Sequence, residues 1–330
     1  MKPSVLVLAD FPNWAYYEIQ RFIKNYLSDE FDIYCDFLIF NSIKKSKDPV
    51  KRMKLFLAKR KYQQVRSDHN YEIVVYLSFY FPEYMNIKWK AKKVIKGIYT
   101  DGFPPNNSNF TGSIDEFKKR FLDHTDALVC GSEQITQFYK NIHQSVFYAN
   151  GILPENHFKR IAPKKMNQSD SFILGWTGNP DRGFKGFYTH VVPAVELAKK
   201  KYPGIQLETR FSGSFETLPR FYDEVDVVLI ASEADAGPSL FGEASLMDIP
   251  SISTDIGWPH EVIKNNINGF FVEKKIEAIA EKIVALYEDR PLLFAMSSRI
   301  RKDYLNKFNK PDMVNKWRNV FNEVLKDKID

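Results

Sequence analysis

The sequence predicts an α/β protein built from two doubly wound units with parallel sheets, and three observations carry that reading. Short apolar runs alternate with stretches of helical periodicity along the whole chain, which is the pattern of parallel sheets. The 330 residues exceed what one hydrophobic core usually serves. Near the middle, residues 150–170 hold Gly151, Pro154, Pro163 and a polar run, the best linker in the chain. In the first half the strand candidates are residues 4–10, 32–39, 73–77, 94–99, 127–130 and 146–148. In the second half they are residues 172–176, 205–209, 225–230, 250–254 and 270–272, with helical stretches between, and helical patterns at 276–287 and 311–325 close the chain. The expected domains are therefore residues 1–150 and 151–310, with a last helix in 311–330.

Composition excludes several classes. Hydrophobic, charged and aromatic fractions of 44%, 27% and 15% are those of a globular protein and argue against disorder. No apolar run approaches membrane-spanning length, and the opening MKPSVLVLADFPNW reads as a first strand rather than a signal peptide, so a cytoplasmic location is expected. Cys35 and Cys130 lie in apolar strand-like runs and read as buried free thiols, too few for a disulfide framework or metal cluster. The chain shows no internal repeat and no low-complexity tract.

The segment DAGPSLFGEASLMDIP, Asp235 to Pro250, is the most informative stretch. Pro238 has the fixed φ of a first helical residue, Asp235 or Ser239 can cap the orphan amides, and the apolar residues that follow recur at helical spacing. A helix is expected to start near Pro238 or Ser239. Its N-terminus offers unpaired amides and the positive end of the macrodipole to a diphosphate, while Glu243, about one turn in, can accept from sugar hydroxyls.

On these residues the chain resembles the retaining glycosyltransferases of glycosyltransferase family 4, which have the GT-B fold. The family's glutamate, seven residues, glutamate spacing is kept as Asp235-x7-Glu243, with Asp in the first place. ILGWTGNPDRGFKG, Ile173 to Gly186, is similar to the family's phosphate-binding strand-loop, with Lys185 and Gly186 as its Lys-Gly pair. TDALVCGSEQITQFYKN and YANGILPENHF resemble the last helix of the first domain and the interdomain crossing. The resemblance implies two Rossmann-like domains facing a central cleft, with the final helix returning to the first domain. It implies that Glu243 binds ribose hydroxyls, that Lys185 and an arginine neutralise the diphosphate, and that Asp235 contacts the transferred sugar. The family's arginine directly follows the strand-loop glycine, Gly178, where this chain has Asn179; Arg182 is the natural substitute. Gly237 and the amides of Ser239 and Leu240 would complete the phosphate cradle. Base contacts would come from the loop around Phe211 to Ser214, including Ser212, with a UDP-sugar placed ahead of a GDP-sugar. Reaction on the front face with retention needs no dedicated base. Where relatives often carry a histidine near the sugar, GIYTDGFPP offers Asp101, equally readable as a turn residue.

Two further features bear on chemistry and acceptor. Fixed cations at the leaving phosphate lower the barrier to glycosidic cleavage, so no metal or other cofactor is expected. The strings Glu233-Ala-Asp235 and Asp223 to Asp226 could suggest a metal site, but strings this short arise by chance. In place of the family's Gly-Gly loop after the first strand stands ADFPNWAYYEI, where Trp14, Tyr16 and Tyr17 line an aromatic acceptor wall, or Trp14 and Tyr17 are simply the apolar face of the first helix.

Charge is asymmetric. Residues 1–150 hold 22 Lys and Arg against 16 Asp and Glu, whereas residues 151–330 hold 25 of each, so the net +6 belongs to the first half, which holds the acceptor in this fold. From Lys44 to Arg66 there are ten basic residues and one acid, Asp48, with Val50, Met53, Phe56, Leu57 and Val65 interleaved as on an amphipathic helix. Lys88, Lys90, Lys92, Lys93 and Lys96 form a second cluster. The bland reading is a solvated face. The sharper ones place Lys51, Arg52, Lys59 and Arg60 against an anionic acceptor, either a lipid-linked or glycan acceptor at the inner face of a membrane or DNA carrying a hydroxylated base. No obligate protein partner is inferred. The reading is thus a hexosyl- or pentosyltransferase, with a catalytically silent nucleotide-sugar-binding module and a nucleotide-sugar epimerase as rivals.

Overall fold

The computed structural model describes residues 1–12, 15–41, 48–66, 70–99, 110–160 and 171–326. The chain divides into two units, Met1–Ile152 with Asn309–Asp330, and Leu153–Phe308. Unit 1 contains β1 (Ser4–Ala9), β2 (Asp32–Phe37), β3 (Asn70–Tyr76), β4 (Lys90–Ile98), β5 (Ala127–Cys130) and β6 (Val146–Tyr148). Unit 2 contains β7 (Phe172–Thr177), β8 (Ile205–Arg210), β9 (Val227–Ile230), β10 (Ser251–Ser253) and β11 (Phe270–Phe271). The sheet orders are β2-β1-β3-β4-β5-β6 and β11-β10-β9-β7-β8, and every pairing is parallel. In each sheet the first strand lies between the second and third, so strand order reverses beside it. That reversal opens a crevice at the carboxyl ends of β1 and β3, and of β7 and β9.

All six residues of β1 are buried, as a strand covered by helices on both faces requires. Each apolar run named from the sequence forms a strand, and the shifts in their ends have local causes. β3 and β4 start earlier than their apolar runs because Asn70 pairs with Lys90 and Tyr71 with Ala91, extending the ladder into polar sequence. β9 starts later because Asp226 bridges to β7 instead, its Oδ2 accepting from the Ile173 amide and its own amide donating to the Ile173 carbonyl, both at 2.7 Å.

On unit 1 the helix Ala15–Leu27 buries Tyr16, Ile19, Phe22, Ile23 and Leu27. The Gln20 amide donates to the Val7 and Asp36 carbonyls, tying the helix to β1 and β2. Helix Lys310–Leu325 starts at Asn309, whose side chain accepts from the Asp312 amide, and packs on the same unit. Trp317 Nε1 donates to the Asn150 carbonyl at 2.9 Å, and Phe321 meets Phe31 edge-on.

Two expectations for unit 1 are overturned. Tyr16 does not line an acceptor wall: its ring is buried, edge-on to Phe81 and Tyr99 at 5.6 and 6.0 Å, because its position on the helix faces the sheet. Lys96 does not belong to a surface cluster. It is buried on β4, its ammonium donates to the Phe121 carbonyl, and desolvation pulls its pKa down to about 8. Lys88, Lys90 and Lys92 are exposed at or just before the amino end of β4, the end of a parallel sheet opposite its binding crevice. Cys35 and Cys130 are buried free thiols, and burial pushes Cys35 up to about 12.

Candidate active site

The candidate site of unit 2 is assembled at its strand-order reversal, from the loops after β7 and β9. β7 runs into Gly178 at φ +137°, a conformation that residues with a Cβ rarely adopt. Asn179 Oδ1 then accepts from the Asp181 amide at 3.0 Å, turning the chain. A short 3₁₀ turn, Gly183–Lys185, ends in Gly186 at φ +67°. A Cβ on Gly186 would stand 2.5 Å from the Ala231 carbonyl oxygen, so glycine is what lets the β7 loop lie against the β9 loop. The Glu233 amide donates to the Phe184 carbonyl at 2.9 Å and laces the two loops together.

This lacing brings Lys185 to Asp235. The Lys185 ammonium lies 3.3 Å from Asp235 Oδ2, with side-chain exposures of 20% and 13%. The other oxygen, Oδ1, accepts from the Gly237 amide at 3.2 Å. A Cβ on Gly237 would collide with the Trp258 indole, so the loop is held close against helix Gly257–Val262.

Helix Ser239–Leu246 begins where the sequence places it, with Pro238 as its N-cap. The expected capping by Asp235 or Ser239 does not occur. No side chain caps this helix among the described residues, because Asp235 bends back to Gly237 and Lys185, and the amides of Ser239 and Leu240 stay open to an anion. At the far end the carbonyls of Leu246 and Met247 accept from Arg301 and Arg160, the latter at 2.6 Å, placing cations at the negative end of the dipole.

Glu243 is buried on this helix and accepts from the Tyr222 hydroxyl at 2.6 Å through Oε2. Its Oε1 has no partner among the described residues. Desolvation dominates and pushes the carboxyl up to about 7, while the Tyr222 hydrogen bond and the charges of Lys185 and Arg210 pull against it. Thr177, at the end of β7, reaches the same tyrosine hydroxyl at 3.4 Å. Lys185, Asp235 and Glu243 therefore share one neighbourhood.

Other sequence candidates are placed differently. Arg182 is exposed and makes no ion pair with a described residue, because it precedes the 3₁₀ turn whose far end carries Lys185 inward. The second cation felt by Glu243 is Arg210, at the end of β8, which donates to the Ser214 carbonyl at 2.8 Å and to Thr217 Oγ1 at 2.7 Å. Ser212 is exposed on that same loop. Trp14 and Asp101 lie outside the described residues, as does the Lys51 side chain; Arg52, Lys59 and Arg60 are exposed on helix Pro49–Tyr62. The acidic strings serve structure: Asp226 holds β7, and Glu233 pairs with Lys274 at 2.6 Å. Arg210 and Tyr222 were not found from the sequence. Arg210 was detectable as a cation at the carboxyl end of a strand, whereas Tyr222 sits in a helix without a motif.

Two parallel, Rossmann-like sheets with these switch-point loops define a GT-B type α/β protein, and comparison with known structures agrees. HepE of Anabaena, solved with UDP and glucose, superposes with a TM-score of 0.65 at 11% identity, covering 97% of this chain and 99% of HepE, a likeness of fold. Residues 195–303 match the family model described as Glycosyl transferases group 1, a stretch that includes Asp235 and Glu243. The capsular polysaccharide biosynthesis glycosyltransferase CapM of Staphylococcus aureus is 29% identical over 108 residues, 32% of this chain and 28% of CapM. The poly(ribitol-phosphate) alpha-N-acetylglucosaminyltransferase of Staphylococcus aureus strain COL is 26% identical over 115 residues, 34% of this chain and 23% of that enzyme. The matched stretches thus span well under half of either relative's length.

Proposed function

We propose that the protein is a retaining glycosyltransferase of the family 4 type, moving a sugar from a nucleoside diphosphate, UDP ahead of GDP, to a hydroxyl of an anionic or membrane-associated acceptor. The observation that carries this reading is the half-buried Lys185–Asp235 pair beside a buried Glu243, on two laced loops at the strand-order reversal. In this reading Glu243 accepts from the ribose hydroxyls through Oε1, with Tyr222 fixing the other oxygen. The diphosphate lies on the open amides of Ser239 and Leu240 and takes the Lys185 ammonium from Asp235. Asp235, released, accepts from the sugar. As the bond from anomeric carbon to phosphate oxygen breaks, negative charge grows on the leaving phosphate and positive charge on the sugar. Lys185 meets the first more strongly in the transition state than in the ground state, which is what accelerates the step. The leaving phosphate takes the acceptor hydroxyl proton on the same face, so the configuration is retained.

The relatives' names, a capsular polysaccharide and a poly(ribitol-phosphate) enzyme, support a polymeric or anionic acceptor, and HepE's bound UDP supports the donor class. The positive excess of residues 1–150 supports an anionic acceptor in the cytoplasm or at the inner membrane face. Positive charge from Lys185, aided by Arg210, makes a metal unnecessary, so turnover should survive a chelator.

A thermal-shift panel of UDP- and GDP-sugars tests the proposal, because a donor that binds only the folded state raises the melting temperature by mass action. The hit is then followed for slow release of nucleoside diphosphate without acceptor. A panel in which no nucleotide-sugar shifts the transition sinks the reading. A donor that binds but is never hydrolysed points to the non-catalytic module.

A further inference from the structure

The helix Pro49–Tyr62, which connects β2 to β3, is turned the wrong way for an ordinary crossover helix. Its sheet-facing side is modest: Leu55, Ala58 and Tyr62 are half-buried, and the Tyr62 ring meets Tyr17 and Phe37 at 5.8 and 6.2 Å. Just beyond its end, Gln63 Nε2 fastens the chain to Asp36 Oδ1 at 2.9 Å. The larger apolar residues point to solvent. Val50, Met53, Phe56 and Leu57 are 63%, 60%, 56% and 57% exposed. At about 100° per residue these four form one stripe, centred roughly 160° from the Leu55–Ala58–Tyr62 face. Val65, read from the sequence with this set, lies beyond the helix and does not contribute.

The stripe is edged by cations. Arg52 and Lys59 project on one side and Lys54 on the other, while the Arg60 guanidinium lies 6.0 Å from the Phe56 ring, inside the stripe. The helix contains no acid. A contiguous apolar stripe with only positive charge at its borders fits one environment well, the headgroup boundary of an anionic bilayer. There apolar side chains enter the acyl edge, and long basic side chains lie along it with their heads at the phosphates. Nucleic acid would satisfy the cations and leave the apolar stripe in water. A second copy of the same face would set cation against cation.

We propose that the outward face of the Pro49–Tyr62 helix docks the protein on an anionic lipid bilayer, with Val50, Met53, Phe56 and Leu57 as the inserted residues. The inference concerns unit 1 alone and stands whether or not unit 2 transfers a sugar. It is tested by co-sedimenting the full chain, without any nucleotide-sugar, with vesicles of equal parts phosphatidylcholine and phosphatidylglycerol, and with phosphatidylcholine alone. The wild type is expected on the anionic vesicles and not on the neutral ones. The triple variant Met53→Ser, Phe56→Ser, Leu57→Ser should bind at least about tenfold more weakly. The variant Arg52→Gln, Lys59→Gln, Arg60→Gln should lose a similar factor of about ten. All these side chains are exposed, so melting temperatures close to wild type show that the variants are folded. Unchanged binding by either variant overturns the proposal. So does equal binding to neutral vesicles, or salt-sensitive binding to duplex DNA with none to vesicles.

Discussion

At the strand-order reversal of unit 2, the loops after β7 and β9 present charge: Lys185 on Asp235, with Glu243 buried behind them. At the equivalent place in unit 1, the described segments after β1, β3 and β4 present rings. Tyr16 stands edge-on to Phe81 and Tyr99, and Phe79 packs on Phe117 and Phe121. The strand topology around the two crevices is the same, yet the described residues of one bring together charged side chains and those of the other bring together packed rings. Topology chooses where a ligand can sit, and residue type decides which ligand is bound there. On the outer face of helix Pro49–Tyr62, unit 1 instead exposes apolar residues bordered by cations.

The contrast can be broken experimentally. The largest effect is expected in unit 1, where Tyr16→Ala should cost about 3–5 kcal/mol of stability, as core aromatic truncations do, while leaving donor affinity unchanged in the molecules that remain folded. Denaturant unfolding and calorimetric donor titration measure the two quantities; a loss of donor affinity with normal stability would return Tyr16 to a binding role. Next, Lys185→Ala should cut turnover by about 10²-fold or more through lost leaving-group stabilisation, with little change in folding. Unchanged turnover would leave the charge in unit 2 without a catalytic purpose.

Glu243→Gln should act in opposite directions on binding and stability. The folded-state carboxyl, raised to about 7, keeps its proton between the unfolded value near 4.5 and pH 7, so stability falls as pH rises through that window. Replacing the acid by an amide should therefore raise stability at pH 8 by up to about 3 kcal/mol and have little effect at pH 4. Donor affinity at pH 8 should meanwhile drop by about tenfold or more, because the ionised acceptor of the ribose hydroxyls is gone. In the wild type, donor affinity should weaken as pH falls below about 7 and lose that dependence in Glu243→Gln. A nucleotide-sugar is the right probe, since its esterified diphosphate does not titrate near neutrality. A pH-independent wild-type affinity would show that Glu243 does not face the ligand. The smallest effect is expected at Arg182, whose alanine variant should keep donor affinity within about twofold, while Arg210→Ala loses more. The reverse order would restore the arginine chosen from sequence.

Much of the fold was legible because buried parallel strands leave continuous apolar runs, and Val5 to Ala9 or Val227 to Ile230 can hardly be read otherwise. The start of helix Ser239–Leu246 was legible because Pro238 restricts its own φ and the preceding residue. Its missing cap was not, because the choice of Asp235 between the helix amides and Lys185 depends on a residue fifty positions away. Arg182 was chosen for its closeness in sequence to the strand-loop, whereas β8 brings Arg210 alongside from the neighbouring strand.

The family resemblance singled out Lys185, Asp235 and Glu243 as residues with chemistry; by itself the sequence determined the described strands and the helix that offers its N-terminus. These follow from local rules of periodicity, proline geometry and spacing. Only the tertiary structure decided that Tyr222 holds Glu243, that Tyr16 and Lys96 are buried, and that Val50, Met53, Phe56 and Leu57 face water. Periodicity states which residues share a face. Whether that face is covered, and by what, depends on elements distant in the chain, and burial is what sets both the carboxyl's proton affinity and the exposure of the apolar stripe.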